Sequence, residues 1–204
     1  MRSRTSCRGF LPAILASALG PLLASCGGGG DAGSAAPAVV AAPASAPASA
    51  PVVATATAST CNLPDFRAAL LTRINQVRAT GADCGSDGVF GAAAPVAWND
   101  RLTTAADGHS ADMAAKNYFS HTSADVRTLA DRVNATGYAW TTLGENIAAG
   151  YPTVNAVMDG WIASPGHCAN LMNAAFAEVG VACVPGSAGD TFSSYWTMDL
   201  GGPR

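Results

Sequence analysis

The sequence predicts an α+β fold in which helices cover a small, mostly antiparallel sheet. Two observations support it: segments with the apolar spacing of helices come first after residue 60, and two strand-like segments follow them near the end. Helices grouped before strands, rather than alternating with them, are typical of helices packed on an antiparallel sheet. Residues 61–204 are numerous enough for one domain with its own core.

The first helix is predicted over residues 64–80. Pro64 suits a first helical turn, and Gly81 suits the position where a helix stops. Apolar residues recur between them at spacings of four, four and three, namely Phe66, Leu70, Ile74 and Val77. This spacing gives the helix one apolar face, which predicts that it packs against the core.

The remaining elements follow from the same reasoning. A second helix is expected to start at an N-cap near Asn99–Asp100 and to end at about Tyr118. Two further helices, and a short helical turn after the break at Pro165–Gly166, are predicted over 124–135, 153–162 and 168–172. Strands are predicted over 178–184 and 192–200, on either side of a Gly-containing turn.

The N-terminal residues 1–25 read as a secretion signal. Three arginines and no acidic residue precede an apolar run over 10–24, which is too short for a membrane span. The run ends in Leu23-Ala24-Ser25-Cys26, a junction that resembles the bacterial lipobox, and this predicts a lipid anchor on Cys26. An ordinary cleavage site that happens to precede a cysteine is the alternative. Gly27, where Asp would signal retention in the inner membrane, favours the outer membrane.

Residues 26–60 are predicted to form a flexible linker rich in Ala, Pro, Ser and Gly, because they contain one charge and no aromatic residue. The globular domain is expected over 61–204. Losing three arginines with the signal changes the formal net charge from −3 to −6, since residues 1–25 contain no acid. An acidic protein without a basic cluster argues against nucleic acid as a partner.

Four cysteines lie in the predicted domain, and an exported chain meets an oxidising compartment, so two disulfides are expected. Three pairings are open. Cys61 and Cys84 flank one predicted helix, and Cys168 and Cys183 flank a short helix-to-strand connection, which favours these two local pairs. No spacing is Cys-x-x-Cys, which argues against a zinc knuckle or a redox motif.

Three segments place polar, ionisable groups beside Gly or Pro in an otherwise Ala-rich sequence, namely 118–121 (YFSH), 144–148 (GENIA) and 161–167 (WIASPGH). Their order and separation resemble the CAP superfamily, also called SCP/PR-1/antigen 5, most closely its short bacterial members. The resemblance covers residues 66–201. It implies a three-layer α-β-α sandwich with a central cleft, which in many members is lined by two histidines and two acidic residues.

The same resemblance implies which residues line the cleft. His121 matches the first histidine, Glu145 the glutamate of the GEN motif, and His167 the second histidine. The second acidic position falls at Ser164, where this chain departs from the pattern. Glu178 is a candidate replacement, although a strand residue of this kind can equally be a carboxylate exposed to solvent.

Two histidines and a glutamate suit zinc or another divalent cation, because neutral imidazoles and a carboxylate leave a fourth position for water. The alternative for His121, Glu145 and His167 is a hydrogen-bonded cluster that fixes loops around helix ends. His109 shares a helical face with Leu102 and Met113 and is interpreted as a core residue. Ser164 beside His167 is not interpreted as a hydrolase site, because the chain has no Gly-x-Ser-x-Gly elbow.

The function expected from these residues is that of an exported, lipid-anchored module of the cell envelope. Its cleft would bind a small molecule or envelope ligand, such as a lipid, sterol, peptide or glycan, with or without a divalent metal. A metal-dependent hydrolase of the envelope is the alternative, in which Glu145 or Glu178 would act as base. A purely structural envelope protein is a third class, and the fold alone does not choose among them.

Overall fold

The computed structural model describes residues 59–204. The predicted signal peptide, the predicted lipidation site Cys26 and nearly all of the predicted linker lie outside these residues. Within the described part, none of the helices is both long enough and apolar enough to span a membrane.

Helices and strands of the described part follow the predicted order, helices first. The helices are α1 (Phe66–Thr80), α2 (Asp100–Lys116), α3 (Leu129–Ala135), α4 (Val154–Ala163) and α5 (Pro165–Met172). The strands are β1 (Ala82–Asp83), β2 (Val89–Phe90), β3 (Ala97–Trp98), β4 (Trp140–Ala149), β5 (Glu178–Pro185) and β6 (Ser194–Pro203). The apolar spacing therefore predicted α1, α2 and α4 to within two residues at most of their ends.

The central sheet has four strands in the order β3-β5-β6-β4. β6 lies between β5 and β4 and is antiparallel to both, whereas the short β3 runs parallel to β5. β1 and β2 form a separate two-stranded antiparallel pair. The expectation of a small, mostly antiparallel sheet is confirmed.

Helices cover both faces of this sheet. On β6, Trp196, Met198 and Leu200 pack into the main core together with residues of α1 and α4. Successive side chains of a strand point to opposite faces, and Thr197 accordingly accepts a hydrogen bond from Ser110 of α2 on the other face, at 2.8 Å. α2 lies so close to β5 that a Cβ on Gly180 would stand 2.1 Å from the backbone nitrogen of Thr103. The fold is thus an α-β-α sandwich.

Three local predictions were wrong. The segment 140–149 was not recognised as a strand, yet it forms β4 along the edge of the sheet. α3 begins at Leu129 rather than at residue 124, because Thr128 and Asp131 form a capping box there. The predicted break after α4 is present at Ser164, but the next helix begins at Pro165 rather than near residue 168, because proline at the first helical position leaves no hydrogen bond unmade.

The predicted disulfide pairing was also wrong. The bonds join Cys61 to Cys183 and Cys84 to Cys168. Thr60 forms a parallel bridge with Cys183, and the backbone N–H of Cys61 donates to the carbonyl of Cys183 at 2.9 Å. The chain thus enters the domain alongside β5, which brings residues 122 positions apart into contact.

Candidate functional site

Glu145 lies in the middle of β4. Its cross-strand partner on β6 is Asp199. Directly paired residues of an antiparallel sheet project to the same face, and Asp199 shares the face of Thr197, which contacts α2. Glu145 therefore points toward the layer of α2 and α3, and its side chain is only 4% exposed.

Arg132 of α3 is the residue that balances this buried carboxylate. Its side chain is 3% exposed, and its Nη2 forms an ion pair with Glu145 Oε2. Its Nη1 donates to the Ser123 hydroxyl and to the carbonyls of His121 and Arg127, at 3.1–3.2 Å. One guanidinium thus fixes both the carboxylate and the loop that carries His121. The sequence analysis missed Arg132 because an arginine on a short helix is normally a surface residue.

His121 is held on the other oxygen of the same carboxylate. Its Nδ1 lies 2.8 Å from Glu145 Oε1, and its side chain is 59% exposed. A carboxylate can only accept hydrogen bonds, so Nδ1 must carry the proton. In the neutral ring Nε2 then keeps its lone pair. The structure confirms that these two residues meet and shows a partly exposed imidazole of fixed orientation.

The charges around Glu145 keep it ionised. Burial acts to raise its pKa, but the hydrogen bond from His121 and the positive charge of Arg132 outweigh burial, so the pKa of Glu145 lies below its ordinary value. This ionised state is the one that both donors require. Glu145 is therefore a buried anion with each oxygen already hydrogen-bonded.

Asp199 beside it behaves in the opposite way. It is fully buried, and neither of its oxygens has a hydrogen-bond donor within residues 59–204. Burial, and then the charge of Glu145, raise the pKa of Asp199 well above its ordinary value. A protonated Asp199 carries no charge, so it can lie opposite the ionised Glu145 without repulsion. Asp199 is thus a neutral acid. The sequence analysis missed it, because it lies within an otherwise apolar predicted strand and no motif marks it.

His167 lies near this pair without joining it. It is a partly buried residue of α5, and its backbone carbonyl accepts a hydrogen bond of 3.0 Å from Asn146, the residue after Glu145. Burial, and then the neighbouring His121, lower the pKa of His167. In the described part of the chain its ring forms no hydrogen bond with His121 or Glu145. His167 is thus a neighbour of the pair and not a further partner of Glu145.

His109 supports the loop that carries His121. It is fully buried on α2, as expected of a core histidine. Its Nε2 donates to the carbonyl of Ser120 at 2.9 Å, which leaves Nδ1 to accept from the Ser123 hydroxyl at 3.4 Å. Burial is the largest cause that lowers the pKa of His109. A neutral imidazole thus fixes both ends of the short segment around His121.

Two candidates from the sequence lie outside this cluster. Ser164 sits between α4 and α5, where its carbonyl accepts from the N–H of Cys168 at 2.8 Å. Glu178, at the start of β5, accepts a hydrogen bond of 2.6 Å from the Tyr138 hydroxyl. The structure places neither side chain against His121 or Glu145. The second acidic group of the site is Asp199.

Comparison with known families settles what kind of domain carries this cluster. The model of the CAP family, described as the cysteine-rich secretory protein family, matches residues 71–200. The match covers well over half of the chain. The chain belongs to the CAP family.

Similar proteins agree with this assignment. Uncharacterized protein YkwD of Bacillus subtilis (strain 168) is 34% identical over 106 residues, which are 52% of this chain and 39% of YkwD. The chain thus spans about two fifths of the length of this relative. An outer surface protein of Borrelia burgdorferi has a TM-score of 0.53 at 16% identity, over 68% of this chain and 92% of its own. A cysteine-rich secretory protein of Staphylococcus aureus has a TM-score of 0.50 at 17% identity, over 69% and 39%. At these identities the two structures show the CAP fold alone.

The cluster around Glu145 in this CAP domain does not fit the three-ligand metal site that the sequence suggested. Both oxygens of Glu145 are engaged, one by His121 and one by Arg132. Residues 59–204 contain no group of three or more His, Cys, Asp or Glu side chains arranged to hold a metal ion. A buried arginine on the carboxylate also opposes a second cation there. The arrangement instead fits the alternative, a hydrogen-bonded cluster that positions His121.

Replacing Asp199 with Asn is expected to stabilise this CAP domain at neutral pH. An unfolded Asp ionises near pH 3.9, while the folded Asp199 keeps its proton, so the stability associated with this group is complete below about pH 4 and falls as the pH rises. An asparagine of the same shape stays neutral at every pH and avoids that loss, so we expect a gain of about 1–3 kcal/mol at pH 7.

Urea unfolding at pH 3.5, 5.5 and 7.5 measures this effect. The difference between the Asp199→Asn variant and the parent protein should grow with pH. The matched control is Asp159→Asn, which changes a carboxylate in an exposed ion pair and should shift stability by no more than about 0.5 kcal/mol. An Asp199→Asn variant less stable than the parent at pH 7.5 would contradict a protonated Asp199.

Proposed function

We propose that this CAP domain is a binding module whose cleft recognises its ligand through the imidazole of His121. The observation that carries the proposal is that His121 is 59% exposed while its Nδ1 is fixed on a buried carboxylate. A ring oriented in this way presents Nε2 as a hydrogen-bond partner without losing side-chain freedom on binding. Phe119, two residues earlier, is 45% exposed and adds an apolar surface close in sequence.

The ligand class that suits this surface combines hydroxyl or amide groups with an apolar part. Lipids, sterols, peptides and glycans of the cell envelope meet this description to different degrees. The geometry supports binding over hydrolysis, because Glu145 is ionised but already accepts two hydrogen bonds from neighbouring cations or imidazoles. It would have to release one of them before it could activate water as a general base.

Export and lipid anchoring belong to the same proposal. Both disulfides are supporting observations, because such bonds persist in oxidising compartments. The Leu23-Ala24-Ser25-Cys26 junction supports a lipid on Cys26 and, with it, the membrane as a partner. Mass spectrometry of the mature protein from the membrane fraction is expected to find an acylated Cys26 at the N-terminus, and an unmodified cysteine there would reject the anchor.

The cleft is tested by following the three histidines of the full chain in solution. Protein labelled with ¹⁵N only at histidine gives separate ring signals for His109, His121 and His167. We expect one member of a panel of phospholipid vesicles, cholesterol, a peptidoglycan glycan fragment and a peptidoglycan stem peptide to shift the His121 signals. His109 serves as the internal control, because it is buried behind the loop.

A second measurement makes the test quantitative. The His121→Ala variant should bind the responding ligand at least about tenfold more weakly, a loss typical of one well-placed polar contact. His121→Asn, which keeps a polar group there, should lose less. Unchanged affinity of His121→Ala, or shifts confined to His109, would overturn the proposal.

A further inference from the structure

A row of aromatic rings reaches the surface near the end of α2 and the start of β6. The ring centroids of Phe119 and Phe192 lie 5.8 Å apart, and the two rings are tilted by 58°. Phe192 in turn packs edge-on against Tyr195, at 5.9 Å and 88°, and Tyr195 is fully buried. The row therefore starts in the core and ends at Phe119, which is 45% exposed.

Stability does not explain an exposed phenylalanine at this position. A phenylalanine ring stabilises a fold mainly by leaving water, and much of the Phe119 ring stays in water. Phe192 beside it is only half-buried, and a Cβ at Gly150 would lie 3.8 Å from its Cδ1. Gly150 is exposed and has no side chain to cover that edge. The pair thus keeps ring surface open to a ligand.

A side-chain amide of fixed orientation lies beside these rings. Asn117 follows α2 with a left-handed backbone, at φ 49°. Its Oδ1 accepts hydrogen bonds from the backbone N–H of Thr191 at 2.9 Å and from the Tyr195 hydroxyl at 3.1 Å. Its Nδ2 must then present two N–H donors on the other side, and these find no acceptor among residues 59–204. Because Asn117 is exposed, its donors are available to a ligand.

The charge at this surface is negative rather than positive. Asp190 lies on the loop before Phe192, and burial, followed by the charge of Asp190, raises the pKa of Tyr195. The neighbouring Lys116 already pairs with Asp112 at 2.6 Å. An anionic ligand would therefore meet a carboxylate without a free lysine to balance it. A neutral ligand with hydroxyl groups can use that carboxylate as an acceptor.

We propose that Asn117, Phe119 and Phe192 form a binding site for an uncharged oligosaccharide. The C–H groups on one face of a sugar ring pack against the negative face of an aromatic ring. The hydroxyls around the sugar rim pair with the amide donors and with the Asp190 carboxylate. An acyl chain would leave both kinds of polar group without a partner. This inference rests on the proposed function, because it names the ligand class of the surface beside His121.

The site also favours a ligand of several sugar rings. Glu145, which holds His121, and Ala149, which belongs to the same apolar cluster as Phe192, are four residues apart on β4. At about 3.3 Å per residue they are about 13 Å apart. A ligand that contacts both His121 and the aromatic pair must therefore be an oligomer.

Isothermal titration of the full chain with four probes tests the ligand class. The N-acetylglucosamine tetramer and cellotetraose are uncharged oligosaccharides, a peptidoglycan stem peptide offers amide groups, and octanoate offers an acyl chain with an anionic head. We expect one of the two sugars to bind at least about tenfold more tightly than both the peptide and octanoate. Failure of both sugars to bind, or a smaller preference than this, would overturn the proposal.

Variants of Phe119 place the sugar on the aromatic pair. Phe119→Ala should weaken binding of the sugar at least about tenfold, and so should Phe119→Leu, which keeps apolar bulk but has no ring. Phe119→Tyr keeps the ring and should retain most of the affinity. The matched control is Val89→Ala, which removes an exposed apolar side chain from β2 and should change nothing.

Asn117→Asp tests the amide separately. A carboxylate still accepts from the Thr191 N–H and the Tyr195 hydroxyl, so the end of α2 should keep its structure, but it cannot donate to the sugar. We expect a loss of at least about tenfold in affinity, with circular dichroism confirming that the variant is folded. Full affinity in either Phe119→Ala or Asn117→Asp would overturn the proposal.

His121→Ala distinguishes this inference from the proposed function. If it leaves the affinity for the sugar unchanged while Phe119→Ala abolishes binding, the oligosaccharide site stands and the role proposed for His121 falls. If the bound ligand requires His121 but not Phe119, the oligosaccharide site falls and the role of His121 stands.

Discussion

Replacing Cys61 and Cys183 together with alanine is expected to lower the free energy of unfolding by about 5 kcal/mol. The two residues are 122 positions apart, so their bond removes much of the conformational freedom of the unfolded chain. A loss of this size is comparable with the whole stability of a small domain. Urea unfolding of the oxidised proteins, monitored by tryptophan fluorescence, measures it.

The second disulfide supplies the comparison. The Cys84–Cys168 bond spans 84 positions, so the matching double alanine variant should lose slightly less, about 4.5 kcal/mol. Peptide mapping without reduction checks the pairing independently. A cross-linked peptide that contains both Cys61 and Cys84 would contradict the structure, as would a Cys61/Cys183 variant as stable as the parent protein.

Replacing Arg132 with methionine is expected to destabilise the domain by about 3–5 kcal/mol, because it leaves the buried Glu145 carboxylate without its cation. The Ser123 hydroxyl and the carbonyls of His121 and Arg127 also lose their common donor. Methionine fills a similar volume, so the effect reports charge and hydrogen bonding rather than a cavity. The loop around His121 should become more mobile in the same variant.

Two further variants isolate the cause. Arg73→Met removes an arginine from an exposed ion pair on α1 and should cost no more than about 1 kcal/mol. Adding Glu145→Gln to Arg132→Met removes the uncompensated charge and should restore part of the lost stability. Unfolding in urea compares all of them. If Arg132→Met lost less than about 1 kcal/mol, the level of an exposed pair, Glu145 would not depend on this cation.

The sequence predicted those elements whose apolar spacing is regular. α1 and α4 each bury one face against the core, and this produces the helical period that identified them. β4 has no such period. From Glu145 to Ala148 four consecutive residues are buried, because α5 and α3 cover both sides of an edge strand. Without alternation, a Gly-containing segment of this kind resembles a loop.

The site was predicted only in part, because two of its residues are explained by contacts that the sequence does not show. His121 and Glu145 were identified through the family resemblance and do form a hydrogen bond. Arg132 and Asp199 were missed, because a charged residue is buried only when the fold supplies its partner or keeps it neutral. Both partners come from other elements of the chain. The predicted disulfide pairing was wrong for a similar reason, because it relied on closeness along the chain. Closeness along the chain does not reveal the bridge between Thr60 and Cys183.

The position of the Cys61–Cys183 bond also decides how the domain responds to mechanical force. A pull between residue 59 and the C-terminal end of β6 reaches Cys61 within two residues and passes through the covalent bond into β5. α1, which begins only at Phe66, is bypassed and carries none of the tension. The force instead acts on the hydrogen bonds between β5 and β6, which run along the full length of β5. While the bond is oxidised the helical layer stays unloaded, and its reduction would transfer the load to α1.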